Sequence, residues 1–203
     1  MQNIDIFPRP PWIFFAPLGI DFHTLVARGT YWGPRATEAA QIAELRAIAQ
    51  QARPWAERKP GRIAMSSMSE YKERPERTRM KTVLGSHPLV DVLPRMNRAT
   101  MWATIAQYQF FLSPPGMGVD CHRTWEVFAV GSVPIVLSST LDEMYRSLQL
   151  PVLIVQHWED VVAAVQNYDR SVQHAHPANW SRLSVLYWKN RILSEREEAS
   201  ALL

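Results

Sequence analysis

The sequence lacks several features that would assign it to a well-defined class of proteins. It contains a single cysteine, Cys121, so it can form neither an internal disulfide nor a cysteine-only metal cluster. No apolar run approaches the roughly 20 residues of a membrane-spanning helix, and the first residues do not resemble a signal peptide. The sequence therefore predicts neither a membrane span nor an export signal, and the cytoplasm is the default compartment.

Two common signatures of nucleotide-binding enzymes are also missing. No G-K-S/T sequence is present, which excludes a P-loop. Gly116 and Gly118 begin a G-x-G-x-x-G pattern, but its sixth position is Cys121, and no acidic residue ends a strand about 20 residues later. The dinucleotide fingerprint of a nicotinamide dehydrogenase is therefore incomplete.

The length and charge of the chain indicate a hydrophobic core and a preference for anionic ligands. With 203 residues, of which 47% are hydrophobic, the chain is long enough to bury such a core. Its formal net charge is +3, and its lysines and arginines are spread along the sequence. Because this charge is not concentrated in a run or patch, we expect no nucleic-acid partner.

Apolar runs and amphipathic stretches alternate along the chain. The unbroken runs are typical of strands covered on both faces, and the stripes have helical spacing. The predicted strands are 62–68, 89–93, 110–112, 133–137 and 152–155, and the predicted helices are 35–53, one ending at Gly85, 94–106, one from about Asp120 to Gly131, 141–148, 159–168 and 179–198. This alternation predicts an α/β fold with a parallel sheet flanked by helices.

The most informative stretch is the glycine loop, residues 113–119, between the third predicted strand and the helix that follows it. It begins at Ser113 and contains Gly116 and Gly118, so a ligand can approach its backbone closely. In a parallel sheet such a loop lies at the carboxyl ends of the strands, where these folds bind ligands. The free N–H groups at the start of the helix suit a phosphate or a diphosphate.

Three charged or titratable residues follow on the polar side of this helix. Arg123 and Glu126 are three positions apart, and His122 is four positions before Glu126, so their side chains are neighbours. A cation in the first turn interacts unfavourably with the helix dipole, so Arg123 does not stabilise the helix. Its charge is better explained by binding of an anionic ligand. Glu126 can accept hydrogen bonds from a ribose diol. The alternative is a surface ion pair between Arg123 and Glu126, worth only about 0.3 kcal/mol.

Four segments carry a resemblance to a known family. The longest reads SPPGMGVDCHRTWEVFAVGSVPIVLSSTLDEMY from Ser113, and LPVLIVQHWEDV follows from Leu150. The others read PLGIDFHTL from Pro17 and YWKNRI from Tyr187. Together they resemble the donor-binding half of the exostosin-like glycosyltransferases, the segment that precedes that half, and its closing helix. The resemblance covers the chain from about Pro17 onward.

The resemblance implies a Rossmann-like parallel sheet flanked by helices, as in the C-terminal domain of a GT-B glycosyltransferase. Residues 62–203 would form this nucleotide-sugar-binding domain, and residues 1–61 would form the interdomain crossover segment and a helix. The N-terminal domain of the family is expected to be absent, which would expose a cleft face around Trp12 and Phe14 and favour self-association. The chain alone would then bind a donor without transferring its sugar.

The resemblance also implies the reaction, an inverting transfer of a sugar from a UDP-sugar to a hydroxyl of a glycan acceptor. Glu126 would hold the ribose, and Arg123 would neutralise the leaving diphosphate. Such charge stabilisation can replace a metal, and no D-x-D motif is present, so neither a metal nor another cofactor is expected. Asp21 and His23 lie in the crossover loop and are candidates for the base, since histidine titrates near neutral pH. Alternatively, they cap a turn.

Arg98, Ser138 and Ser139 complete the predicted site. By resemblance, Arg98 helps to hold the donor. Ser138 and Ser139 end a strand at the same sheet edge as the glycine loop, so their hydroxyls either contact the sugar or phosphate or cap the next helix. The basic residues Arg74, Arg77, Arg79 and Lys81 are expected to form a solvated face, and the alternative is that one of them reaches the donor phosphates. The alternative function is a non-catalytic domain that binds a nucleotide sugar or a partner.

Overall fold

The predicted strands form one five-stranded sheet with helices packed around it. The computed structural model describes residues 16–67, 75–169 and 184–201. In chain order the strands are β1 (Lys59–Ser66), β2 (Val90–Leu93), β3 (Tyr108–Leu112), β4 (Val133–Leu137) and β5 (Leu153–Val155). The helices are α1 (His23–Ala27), α2 (Glu38–Gln51), α3 (Pro75–Leu84), α4 (Arg98–Ile105), α5 (His122–Ala129), α6 (Asp142–Ser147), α7 (Val161–Gln166) and α8 (Val185–Ala201). Helix and strand alternate from β1 to α7, as the sequence predicts.

All neighbouring strands run parallel, in the spatial order β2-β1-β3-β4-β5. The fold is therefore the α/β, Rossmann-like arrangement that the sequence predicts. Because the strands are parallel, their carboxyl ends share one edge of the sheet, which we call the carboxyl edge. From β1 the chain continues to β2 on one side of the β1–β3 pair, whereas from β3 it continues to β4 on the other side. Folds with this strand order bind ligands in the crevice between the ends of β1 and β3.

The strands have unbroken apolar sequences because both faces of the sheet are covered. In β3, Phe110 and Leu112 face the layer that contains α3 and α7, whereas Phe111 faces the layer that contains α4 and α5. Every residue of β3 is buried, which is why its sequence shows no alternation. This packing fixes the point at which the glycine loop leaves the sheet.

The segment before the sheet packs onto the same structure. α2 lies against α4 and α5, and its Leu45 belongs to the buried cluster that also contains Phe111. Trp55 packs on the opposite face of the sheet, where its ring meets that of Phe110 edge to face. The predicted boundary between residues 61 and 62 falls inside β1, and the division into two units stays a prediction.

Side-chain caps explain why two helices begin later than the sequence predicts. α2 begins at Glu38 because the hydroxyl of Thr37 accepts a hydrogen bond of 3.2 Å from a backbone N–H three residues later. In the same way, Asn97 accepts a hydrogen bond of 2.9 Å at the start of α4. The second cap places Arg98 in the first turn of α4, just beyond the carboxyl end of β2.

Some predictions fall outside the described residues. Trp12 and Phe14, on which the predicted self-association depends, lie before residue 16, and the predicted start of the last helix lies within 170–183. In the described part of the chain, this helix is present from Val185 to Ala201. None of the helices in that part is long and apolar enough to cross a membrane.

Candidate functional site

The glycine loop lies at the carboxyl edge, as predicted. Ser113 is buried, and its hydroxyl oxygen is 2.8 Å from that of Thr124, so it fastens the loop to α5. The N–H of Gly116 donates to the carbonyl oxygen of Gly118 at 3.0 Å, which closes a tight turn. A β-carbon at Gly116 would make only ordinary van der Waals contacts within the protein. The fold itself therefore does not require glycine at position 116.

Asp120 is of a residue type that commonly caps helices, but it does not cap α5, which begins two residues after the predicted start. The helix begins at His122, and Cys121 at its N-cap position makes no side-chain capping bond. Asp120 instead accepts hydrogen bonds from the backbone N–H groups of Leu18 and Cys121, both at 2.7 Å, and from the indole N–H of Trp125 at 2.9 Å. Burial raises the pKa of Asp120, and these N–H donors oppose the rise. Asp120 thus ties the crossover segment to the glycine loop.

Five charged or titratable side chains from three distant parts of the chain meet near this loop. We call them the charged cluster, which consists of Asp21, His23, Arg98, Arg123 and Glu126. Asp21 lies 2.9 Å from His23 and 3.9 Å from Arg98, measured between side-chain oxygens and nitrogens. Glu126 lies 3.9 Å from Arg98 and 2.6 Å from Arg123 by the same measure. All five are predicted site residues, and the fold brings them together.

Arg98 connects the two carboxylates of the charged cluster and is only 6% exposed. Its Nη1 donates to Oε1 of Gln41 at 2.7 Å, whereas Nη2 faces Asp21 and Nε faces Glu126. Its guanidinium also lies 4.9 Å from the ring centroid of Trp32. Burial lowers the pKa of Arg98, and the carboxylates of Glu126 and Asp21 oppose this shift. Arg98 therefore joins the crossover segment to α5.

Arg123 and Glu126 form an ion pair in which the carboxylate is buried and the guanidinium is half-buried, rather than the surface pair of the alternative interpretation. Glu126 is 5% exposed, so other parts of the chain cover the polar side of the helix on which it lies. Arg98 and α2 cover this side of α5. Oε2 of Glu126 contacts Arg123, whereas Oε1 accepts no hydrogen bond within the described residues.

The capping interpretation is confirmed for Asp21, whereas the role of Asp21 and His23 as a base stays a prediction. Asp21 accepts hydrogen bonds from the backbone N–H of Thr24 at 3.0 Å and from its hydroxyl at 2.7 Å, which caps the turn into α1. Its Oδ1 also contacts Nδ1 of His23, whose side chain is 80% exposed. Burial opposes ionisation of Asp21, but the bonds from Thr24 and the charges of His23 and Arg98 together hold its pKa below the ordinary value. Asp21 therefore orients His23, with Nε2 as the nitrogen able to accept a proton.

The lowered pKa of Asp21 predicts a pH-dependent contribution to stability. Because the folded-state pKa lies below the unfolded value of about 3.9, this contribution is fully present above that value and is lost as the pH falls through the folded-state pKa. We expect Asp21→Asn to lower the free energy of unfolding at pH 7 and to have a much smaller effect near pH 2. Urea unfolding at both pH values measures the difference, with Glu44→Gln on the exposed side of α2 as control. An equal loss at both values would contradict the prediction.

His122 connects the start of α5 to the crossover segment. Its Nδ1–H donates to the carbonyl oxygen of Gly19 at 2.6 Å. Its ring centroid lies 6.4 Å from that of His23. His122 therefore holds the backbone two residues before Asp21 against the helix that follows the glycine loop.

Ser138 and Ser139 follow β4 at the carboxyl edge and take part in the turn before α6. The hydroxyl of Ser138 donates to Oδ2 of Asp142 at 2.8 Å, and the backbone N–H of Ser139 donates to Oδ1 at 3.0 Å. The hydroxyl of Ser139 accepts a hydrogen bond of 3.2 Å from the N–H of Leu141. These bonds favour the capping interpretation, and contact of the hydroxyls with a sugar or phosphate stays a prediction.

Three further residues complete the site, and of these the sequence offers only Arg77, as one of four basic residues that could reach the donor phosphates. Gln41 and Trp32 contact Arg98 from the crossover segment. Arg77, in the first turn of α3, donates from Nε to the carbonyl oxygen of Pro115 at 2.9 Å, so the prediction of a solvated face is wrong for this residue. No local motif marks these residues, because each acts through a contact with a distant part of the chain. A second arginine thus reaches the glycine loop.

The chemistry of the site follows from these contacts. Among the described residues, no group of three or more His, Cys, Asp or Glu side chains could hold a metal ion. The chain matches no protein-family model and no curated protein. We therefore interpret the site from its geometry: two arginines beside a glycine loop can bind an anion, and a histidine oriented by a carboxylate can accept a proton.

Proposed function

We propose that this chain is the nucleotide-sugar-binding part of an inverting, exostosin-like glycosyltransferase of the GT-B type. The observation that carries the proposal is the meeting of the charged cluster beside the glycine loop. The cluster lies near the carboxyl edge of a parallel sheet, where α/β folds bind ligands. The proposed donor is a UDP-sugar, and the proposed acceptor is a hydroxyl of a glycan.

Binding of the UDP diphosphate requires positive charge and hydrogen-bond donors. Arg123 lies in the first turn of α5, and a helix N-terminus favours an anion. Arg77 reaches the glycine loop from α3 and brings a second guanidinium to the same loop. Preorganised donors of this kind stabilise the charge that develops on a leaving group. The proposed reaction therefore uses side chains and a helix N-terminus, and no metal, to neutralise the leaving diphosphate.

Glu126 is the proposed partner of the ribose. Its Oε2 is occupied by Arg123, whereas its Oε1 lies 3.9 Å from Arg98, beyond hydrogen-bond distance. Oε1 therefore retains the capacity to accept a hydrogen bond from a ribose hydroxyl. The two arginines hold the carboxylate in position, and because Glu126 is buried, the groups that cover it must move for a ribose hydroxyl to reach it.

His23 is the proposed general base. Asp21 contacts its Nδ1, so Nε2 takes the proton from the acceptor hydroxyl. The oxygen of that hydroxyl forms a bond to the anomeric carbon while the bond from this carbon to the β-phosphate oxygen breaks. The electron pair of the broken bond leaves with UDP. Attack from the face opposite the leaving group inverts the configuration at the anomeric carbon.

The alternative function is a domain that binds a nucleotide sugar or a partner without catalysing transfer. One observation favours it: the charges of the cluster already compensate one another, with Arg98 buried between Asp21 and Glu126. Such a network can support the fold without taking part in a reaction. A panel of UDP-sugars with glycan acceptors, followed by mass spectrometry, separates the two functions. Donor binding with no sugar transfer would favour the alternative.

The proposal predicts that the chain binds UDP in preference to NAD, by about tenfold or 1.4 kcal/mol in binding free energy. The dinucleotide fingerprint is incomplete. The carboxylate of Asp120, at the end of the glycine loop, already accepts hydrogen bonds from N–H groups of the protein. Calorimetric titration with each ligand measures both affinities under the same conditions. Tighter binding of NAD, or no measurable binding of UDP, would contradict the proposed function.

A further inference from the structure

A cavity of about 560 Å³ lies at the edge of the sheet opposite the carboxyl edge, where β1 and β3 begin. Its volume is within the range of small-molecule sites. The end of α2, the turn before β1 and the end of α4 form its walls. Its charged lining residues are the basic Arg53, Arg58 and Lys59 and the acidic Glu57, and its apolar lining includes Ile48, Ala52 and Ala106.

Arg58 is a buried cation in the wall of this cavity, with only 7% of its surface exposed. Its Nε donates to the carbonyl oxygen of Arg53 at 2.9 Å. Its Nη1 donates to the carbonyl oxygen of Val130 at 2.9 Å and to the hydroxyl of Ser132 at 3.1 Å. Nη2 makes no hydrogen bond within the described residues, and every partner of the guanidinium there is a neutral group.

A buried guanidinium without a carboxylate is unusual, because a buried charge normally has an ionic partner. Burial lowers the pKa of Arg58 to about 10. Glu57 also lines the cavity but forms no ion pair with Arg58. The amino group of Lys59 donates to the hydroxyl of Tyr108 at 2.7 Å, and Arg53 adds an exposed positive charge at the rim. Within the described residues, the buried positive charge of Arg58 is therefore uncompensated.

We propose that this cavity binds a small carboxylate with a short apolar body, whose charge complements Arg58. A ligand with one negative charge would compensate the single buried cation. The Nη2 group can donate a hydrogen bond to a carboxylate oxygen of that ligand. Ile48, Ala52 and Ala106 provide an apolar wall for the body of the ligand. The cavity lies at the opposite edge of the sheet from the charged cluster, so this site does not depend on the proposed function.

Titration with hexanoate tests the proposal, since hexanoate combines a single carboxylate with a short aliphatic chain. We expect one hexanoate per chain, bound about tenfold more tightly than hexanamide, because the amide has the same shape without the charge. Inorganic phosphate has no apolar body and should bind more weakly than hexanoate. Equal affinities for hexanoate and hexanamide, tighter binding of phosphate, or no binding of hexanoate would overturn the proposal.

A cavity-filling variant shows where hexanoate binds. Arg58 itself is unsuitable, because its bonds to Val130 and Ser132 also hold the fold together. Ala103 is exposed and lines the cavity, so Ala103→Phe should reduce hexanoate affinity about tenfold or more while leaving UDP affinity and the unfolding midpoint unchanged. Ala43→Phe, on an exposed position of α2 outside the cavity, is the matched control and should bind hexanoate normally. Undiminished hexanoate binding by Ala103→Phe would overturn the proposal even if hexanoate binds elsewhere.

Discussion

Substitution of Arg98 by methionine is expected to lower the free energy of unfolding by about 3–5 kcal/mol. Methionine replaces much of the apolar stem of arginine but removes the charge. The carboxylates of Asp21 and Glu126 then lie buried beside an apolar side chain. The cost is high because a buried charge that loses its partner cannot regain its hydration without unfolding. Since domains are typically stable by only roughly 5–15 kcal/mol, this variant should unfold at much lower urea concentration.

Arg95→Met is the matched control for this experiment. Arg95 lies three residues earlier, is exposed, and stacks on the ring of Tyr31 at 3.5 Å from the ring centroid. Its loss should cost no more than about 1 kcal/mol, as expected for an exposed cation–π contact. Urea unfolding of both variants measures the two losses. A loss for Arg98→Met as small as that for Arg95→Met would show that the charged cluster does not hold the crossover segment to α5.

Neutralising the carboxylates should recover part of the stability that Arg98→Met loses. In the triple variant with Asp21→Asn and Glu126→Gln, the buried cluster has no uncompensated carboxylate, so the three losses should not add. This non-additivity distinguishes an electrostatic cause from a simple packing defect at position 98. A packing defect would give losses that add within about 0.5 kcal/mol.

The fold could be predicted from the sequence because its strands are covered on both faces. Phe110 and Leu112 face one layer of helices and Phe111 faces the other, so β3 has no polar position and its sequence identifies it as a buried strand. Strand order, by contrast, depends on contacts between segments far apart in the chain. The same local signals failed at Asp120, a good N-cap residue by type, because Leu18 and Trp125 supply its donors instead.

The five residues of the charged cluster could be named from the sequence, but their geometry could not be predicted, nor could Gln41 and Trp32, the residues that surround Arg98. Helical spacing correctly places Arg123 and Glu126 next to each other. It cannot show that Glu126 is buried, because the residue that covers it, Arg98, lies on another helix. The burial of Glu126 changes the contribution expected of the pair, because a surface ion pair contributes little, whereas a buried carboxylate is costly to leave without its partner. Arg58 gives no sequence signal for the same reason, since its uncompensated charge becomes visible only when its neutral partners are known.

Arg123→Gln is expected to weaken UDP binding by about 1–3 kcal/mol, which is about 5- to 150-fold in affinity. Glutamine keeps a hydrogen-bond donor but removes the positive charge that the proposed site presents to the diphosphate. Arg123→Gln should lower the free energy of unfolding less than Arg98→Met does, because Arg123 is more exposed than Arg98 and because Glu126 still has Arg98 beside it. Calorimetry with UDP and urea unfolding separate the effect on the ligand from the effect on the fold.

Arg146→Gln is the matched control, because Arg146 also pairs with a carboxylate on its own helix, at 3.5 Å from Asp142, but lies exposed on α6. It should change neither UDP affinity nor stability by more than about 0.5 kcal/mol. A fall in UDP affinity for Arg123→Gln alone would support a diphosphate-binding role for Arg123. If Arg123→Gln instead lowered the free energy of unfolding with unchanged UDP affinity, the Arg123–Glu126 pair would be purely structural. The proposed function would then lose the residue that neutralises the leaving group.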